Sequence, residues 1–211
     1  MNLFLGILCG YLIGSFPTAY ILGKICKGID IRQHGSGNMG ATNVFRVLGK
    51  GPGIIVLCMD IIKGVLPVVI VADVLGLNIL WQYILLGLAA VCGHNWTIFL
   101  KFKGGKGIAT SLGVLIGLTI KIATIRLVLI GTILVWVICF MSTGFVSLAS
   151  IVAATLLPVI TALTNQPFEI VVLGIIFCVF VILRHRPNIK RLLAGEEPRV
   201  PLAYFKNNKS S

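Results

Sequence analysis

The chain has 211 residues, 57% of them apolar and 11% charged, with 18 Lys and Arg against 6 Asp and Glu. Soluble domains carry roughly a quarter charged residues, so this composition excludes disorder and argues against a soluble globular fold. The formal charge of +12 then belongs at a membrane surface, facing lipid headgroups or anionic solutes such as phosphates, rather than nucleic acid, which needs a soluble basic face.

Apolar runs fall at roughly residues 3–23, 54–75, 79–99, 108–121, 124–141, 145–163 and 168–184, close to the ~20 residues a helix needs to cross a bilayer core. The prediction is an all-α, polytopic integral membrane protein, a single domain over 1–211 with seven transmembrane helices. The stretch Met1 to Cys9 lacks the basic start of a signal peptide and is kept as membrane helix. Seven spans put the termini on opposite sides. On one side collect five basic residues from Lys24 to Lys50, three from Lys101 to Lys106 and seven from Arg184 to Lys209; the other side has Lys121 and Arg126. The positive-inside tendency therefore predicts the N-terminus outside and the C-terminus in the cytoplasm. The run at 108–121 is short and rich in Gly, and it is retained because without it the basic clusters would lie on both faces. Five of the six cysteines, Cys9, Cys58, Cys92, Cys139 and Cys178, sit singly in apolar runs and read as small buried hydrophobes.

The chemically rich sequence is thus expected on one membrane face. His34 to Gly53 reads HGSGNMGATNVFRVLGKGPG. Its glycines, with Ser36 and Asn38, suit a folded-back loop with exposed amides that receives an anion. Ala41 to Leu48 can make two helical turns carrying Asn43 and Arg46 three residues apart. Gly93 to Thr110 reads GHNWTIFLKFKGGKGIAT, placing Lys106 and three glycines just before the fourth span, where free N–H groups and a helix dipole would favour a phosphate monoester. It is not a Walker A motif, since Gly107 follows Lys106 where Ser or Thr is required. Near the last span, His185 and Asn188 lie three apart; His185 is either a general base or a helix cap. Asp60 and Lys63, one turn apart within the second span, are expected to neutralise each other. Ser147 and Ser150 begin the sixth span, Ser147 nearer the basic face. No His-x4-Asp pair, no G-x-S-x-G elbow and no acidic cluster for a metal is present, so neither metal nor cofactor is expected.

These motifs, GSGNMGATNVFR, GHNWTIFLKFKGGKGIAT and RHRPNIKRL in that order, resemble those of the bacterial integral-membrane acyl-phosphate:glycerol-3-phosphate acyltransferases, the PlsY type. The resemblance covers essentially the whole chain. It implies transfer of a fatty acyl group from acyl phosphate, not acyl-CoA, to the 1-hydroxyl of glycerol 3-phosphate in phospholipid synthesis. The products would be lysophosphatidic acid and inorganic phosphate, made at the cytoplasmic face of the bacterial inner membrane. It further implies catalytic roles for Ser36, Arg46, Lys106, His185 and Asn188. Substrate or phosphate binding would fall to Asn38, Thr42, Asn43, Gly104, Gly105, Gly107 and Ser147. Implied partners are the two substrates, membrane lipids and a soluble enzyme that makes acyl phosphate. The alternative is a transporter of a phosphorylated solute, which the basic loops and Asp60 with Lys63 would also serve. Against it stand the absence of internal repeats and the placement of the polar motifs at one face instead of the midplane.

Overall fold

A computed structural model describes residues 1–200; Lys206 and Lys209, counted above in the basic tail, lie outside them. Among the described residues the regular structure is entirely helical, as expected of apolar segments that must satisfy their backbone hydrogen bonds without water. The chain divides into two compact units, Met1–Arg126 and Leu127–Ser211.

In the first unit, the first apolar run forms two helices instead of one, α1 (Asn2–Ser15) and α2 (Thr18–Lys27). Pro17 has no N–H to give, and it pushes Phe16 out of the helical region to ψ 119°, so the run breaks there. The short helix predicted in the first motif is α3 (Ala41–Leu48), followed by α4 (Lys50–Leu66). At Pro67 the helix does not stop. It widens into a π-turn, Pro67–Val71, and ends in α5 (Ala72–Val74). Pro67 cannot donate to the Lys63 carbonyl, and the ladder steps to a wider spacing in which the Ala72 N–H reaches the Pro67 oxygen.

Two further helices, α6 (Leu80–Asn95) and α7 (Ile108–Lys121), complete this unit. Glycines let the helices meet main chain to main chain. A Cβ on Gly14 would lie 2.1 Å from the Ala90 oxygen, and one on Gly93 2.2 Å from the Tyr11 oxygen, which fixes α1 against α6. Gly64 and Gly113 do the same for α4 and α7, at 2.1 Å from the Thr110 oxygen and 2.0 Å from the Ile61 oxygen. Close approach of this kind is the chief source of helix packing in lipid. Thr97 Oγ1 donates to the Ser15 carbonyl at 2.5 Å, and Tyr11 Oη to the Trp96 carbonyl at 2.7 Å, tying the end of α6 to the end of α1. Lys121, one of the two basic residues counted on the opposite side, is ion-paired with Asp73.

The second unit contains α8 (Arg126–Thr143), α9 (Val146–Leu163), α10 (Phe168–Arg184) and α11 (Arg186–Leu193). Of α8, only Val128 and Phe140 are buried, the pattern of a helix that shows most of its circumference to lipid. Trp136 Nε1 donates to Ser150 Oγ at 3.1 Å, linking α8 to α9. Between α10 and α11 the chain bends by 62°.

Every predicted apolar run is therefore helical. Five segments are long and apolar enough to cross a membrane, Asn2–Lys27, Lys50–Val74, Leu80–Leu100, Ala123–Thr143 and Val146–Leu163, and the bent pair α10 and α11 makes a sixth if counted as one span. The remaining run is α7, with 14 residues. At 1.5 Å per residue it reaches about 21 Å, short of a ~30 Å hydrocarbon core.

Candidate active site

In the first unit, the loop carrying Ser36 is shaped by Asn43. This residue is 1% exposed. Its Oδ1 accepts the Ser36 N–H at 2.8 Å, while its Nδ2 donates to the carbonyls of His34 at 3.0 Å and Ile31 at 3.4 Å. Gly35 and Gly37 have φ of +60° and +68°, a region that only glycine enters freely. Ser36 and Arg46 are exposed, Asn38 and Thr42 half-buried. Asn43 and Arg46 are three apart on α3 as predicted, yet Asn43 spends its amide on the loop backbone and Arg46 faces outward.

One basic residue beside the loop is already engaged. Asp30 accepts the Arg32 backbone N–H at 3.0 Å, and its carboxylate meets the Arg32 guanidinium at 2.6 Å. The hydrogen bonds from Arg32 hold the Asp30 carboxyl below its usual range.

The second motif folds back on the end of α6. The N–H of Gly104 donates to the Asn95 carbonyl at 3.1 Å, and that of Gly105 to the His94 carbonyl at 3.0 Å. The sequence had suggested that these two amides face an anion; instead they clamp the loop to the helix. The glycines serve close packing, since a Cβ on Gly104 would lie 2.0 Å from the His94 oxygen and one on Gly105 2.1 Å from His94 Nε2. Gly107, at φ +80°, turns the chain into α7 and supplies no side-chain cap. The first turn of α7 follows the half-buried Lys106 directly, and a helix N-terminus next to a lysine favours an anion. A cleft of about 590 Å³ is lined by Asp30, Arg32 and Gly37 from the first motif region and by Lys101, Lys103 and Gly104 from the second. The fold thus brings those two motifs to a common basic cleft.

In the second unit, Ser147, Asn188 and His185 are all buried. Ser147 Oγ and Asn188 Nδ2 each donate to Glu197 Oε1 at 2.7 Å, and Arg191 Nε donates to Glu197 Oε2 at 2.7 Å. Burial pushes the Glu197 carboxyl up, but the hydrogen bonds from Ser147, Asn188 and Arg191 outweigh it and hold the group below its ordinary value. His185 Nδ1 lies 2.9 Å from the Val181 carbonyl. A carbonyl can only accept, so the hydrogen sits on Nδ1 and the basic lone pair of the neutral ring is on Nε2.

The family model for glycerol-3-phosphate acyltransferases matches residues 4–195. The chain belongs to the glycerol-3-phosphate acyltransferase family. It is 44% identical over 209 residues to the glycerol-3-phosphate acyltransferase of Nostoc sp., covering 92% of this chain and 90% of that protein. Among solved structures it is similar to the crystal structure of PlsY (YgiH), an integral membrane glycerol 3-phosphate acyltransferase. The glycerol 3-phosphate form matches with a TM-score of 0.86 and 36% identity, over 99% of this chain and all of that one. The lysophosphatidic acid form matches with a TM-score of 0.82 and 36% identity, over 96% and 97%.

Within this family member, sequence reasoning missed Glu197, the residue on which Ser147 and Asn188 converge. The available signal was weak. Glu197 and its neighbour Glu196 are two of six acidic residues in a strongly basic chain, and carboxylates in a basic tail need a reason. It also missed the third member of the intramembrane charge cluster. Asp60 and Lys63 pair at 2.7 Å as expected, and His94 Nδ1 stands 3.6 Å from the same Asp60 oxygen.

Proposed function

We propose that this acyltransferase moves a fatty acyl group from an acyl phosphate to the 1-hydroxyl of glycerol 3-phosphate. It would yield lysophosphatidic acid and inorganic phosphate at the cytoplasmic face of a bacterial cell membrane. We read the whole chain as one domain crossing the membrane seven times, with the short α7 as the fourth crossing, and its N-terminus outside, the arrangement favoured by the skew of basic residues. The observation that carries this reading is the basic cleft shared by the Ser36 loop and the glycine–lysine loop, because both substrates are phosphate monoanions or dianions.

An acyl phosphate is a mixed anhydride. The glycerol hydroxyl oxygen forms a bond to the acyl carbon, the bond from that carbon to the phosphate oxygen breaks, and phosphate leaves with the electron pair. Such a leaving group needs charge neutralisation more than covalent assistance, so Lys106, Arg46 and the α7 N-terminus supply electrostatic stabilisation. Ser36 and Asn38 stand on the first loop and Thr42 in the first turn of α3 beside it, while Gly104, Gly105 and Gly107 set the path that presents Lys106. Ser147 and Asn188, locked by Glu197, orient the glycerol substrate. The hydroxyl proton passes to His185 Nε2 or to a phosphate oxygen of the substrate, and a pH–rate profile of His185→Gln separates these routes: an unchanged profile removes His185 as the base. A soluble enzyme that makes acyl phosphate is the partner this scheme calls for on the basic face.

The test uses purified protein in micelles with an acyl phosphate and glycerol 3-phosphate. Monoacyl product should form with the parent and be lost with Lys106→Ala or Arg46→Ala. Transmembrane flux of a phosphorylated solute without product would overturn the reading in favour of a carrier.

A further inference from the structure

Three buried ionisable side chains of the first unit, Asp60, Lys63 and His94, have no part in the chemistry above; they are 2%, 4% and 7% exposed. Asp60 and Lys63 already neutralise each other across 2.7 Å on one face of α4. His94 is not needed for that balance, yet its Nδ1 is directed at the same carboxylate oxygen from α6, 3.6 Å away. That distance is too long for a hydrogen bond, so the carboxylate acts on the ring electrostatically, favouring the tautomer with hydrogen on Nδ1.

The opposite edge of the same ring bears on the glycine loop. A Cβ on Gly105 would meet His94 Nε2 at 2.1 Å, Cε1 at 2.9 Å and Cδ2 at 3.1 Å, and these ring atoms are its three nearest neighbours. The His94 carbonyl meanwhile accepts the Gly105 N–H. Both the ring and the backbone of His94 therefore define where the loop runs. A small cavity of about 10 Å³, room for one water, is lined by Asp60, Lys63, His94 and Thr18. The Thr18 hydroxyl is buried and finds no hydrogen-bond partner among the described residues, so a water here would join it to the cluster.

We propose that Asp60, held by Lys63, and His94 are positioning residues that fix the Gly104–Gly107 loop and so set the affinity for the phosphate of glycerol 3-phosphate. This inference rests on the reading of that loop as the phosphate site. A carboxylate that holds a histidine's ring orientation is well known where the histidine ligates a metal; here the 3.6 Å contact acts on His94 through charge.

The test measures KM and kcat for glycerol 3-phosphate at saturating acyl phosphate, well below the melting temperature. Asp60→Asn combined with Lys63→Met removes both charges together, avoiding the unpaired buried charge that a single substitution would leave. The double variant and His94→Gln should each raise KM roughly tenfold while kcat stays within about twofold. Gly105→Ala should also raise KM, and adding His94→Ala should relieve part of that rise, because the Cβ then occupies the space of the lost ring. A double variant that is merely less heat-stable, with the parent's KM, would overturn the proposal. So would additive effects of Gly105→Ala and His94→Ala. Absence of any product from the parent protein would instead overturn the functional reading, and this inference with it.

Discussion

At the scale of single residues, the site depends on polar side chains whose partners are backbone or other side chains of the same unit. Asn43 satisfies one N–H and two carbonyls of the Ser36 loop. Asn43→Ala should therefore lower stability by about 1–3 kcal/mol, the cost of stranding buried polar groups, and loosen Ser36. Thermal unfolding in detergent and the product-formation rate would show both effects. Glu197 gathers Ser147, Asn188 and Arg191 as an anion, with its carboxyl held below the ordinary range. A carboxyl depressed in the folded state adds stability that is complete above its unfolded pKa, about 4.3 for Glu, and is lost as pH falls through the lower folded value. The melting temperature of the parent should accordingly fall more steeply between neutral pH and pH ~3 than that of Glu197→Gln, which has no such proton to take up. The first motif points to Asn43, but its hydrogen-bond partners, and any role for Glu197, were hidden in the sequence, because each is defined by what the chain folds against it.

At the scale of elements, glycine decides which helices touch. The Gly64–Gly113 approach leaves no room for a methyl group, since the obstructing atoms are backbone. Gly113→Ala should cost about 1–3 kcal/mol or more through forced separation of α4 and α7. Gly131→Ala, whose new Cβ would meet only the side chain of Ile160 at 3.3 Å, should be tolerated; melting curves of the two variants provide the comparison. Two prolines in similar apolar settings had different outcomes. Pro17 ends α1, whereas Pro67 is absorbed in a π-turn. The missing N–H is common to both, but after Pro67 the ladder continues with a following N–H, that of Ala72, reaching a carbonyl five residues back, which hydropathy does not report.

At the scale of the whole molecule, the dominant property is charge. A formal +12 on a chain that is 57% apolar concentrates cations where no lipid tail can bury them, and on the proposed function the basic cleft would attract a dianionic soluble substrate over distances set by screening. Raising ionic strength from about 50 to about 500 mM should therefore raise KM for glycerol 3-phosphate several-fold with little change in kcat. Steady-state kinetics at constant detergent would show it. A fall in kcat with constant KM would place the salt effect on the chemistry instead.

Helical class, the seven apolar runs, α3 and the glycerol-3-phosphate acyltransferase family were legible in the sequence, because hydropathy, 3.6-residue periodicity and long motifs are local properties of the chain. The use made of each motif residue was decided only by the tertiary structure. The amides of Gly104 and Gly105 close onto α6 instead of facing outward, and His94 joins Asp60 from another helix. Glu197, 50 residues from Ser147 along the chain, becomes its partner. Such contacts join residues far apart in sequence, and a hydrogen bond or a backbone approach of this kind exists only once packing has fixed which atoms are neighbours.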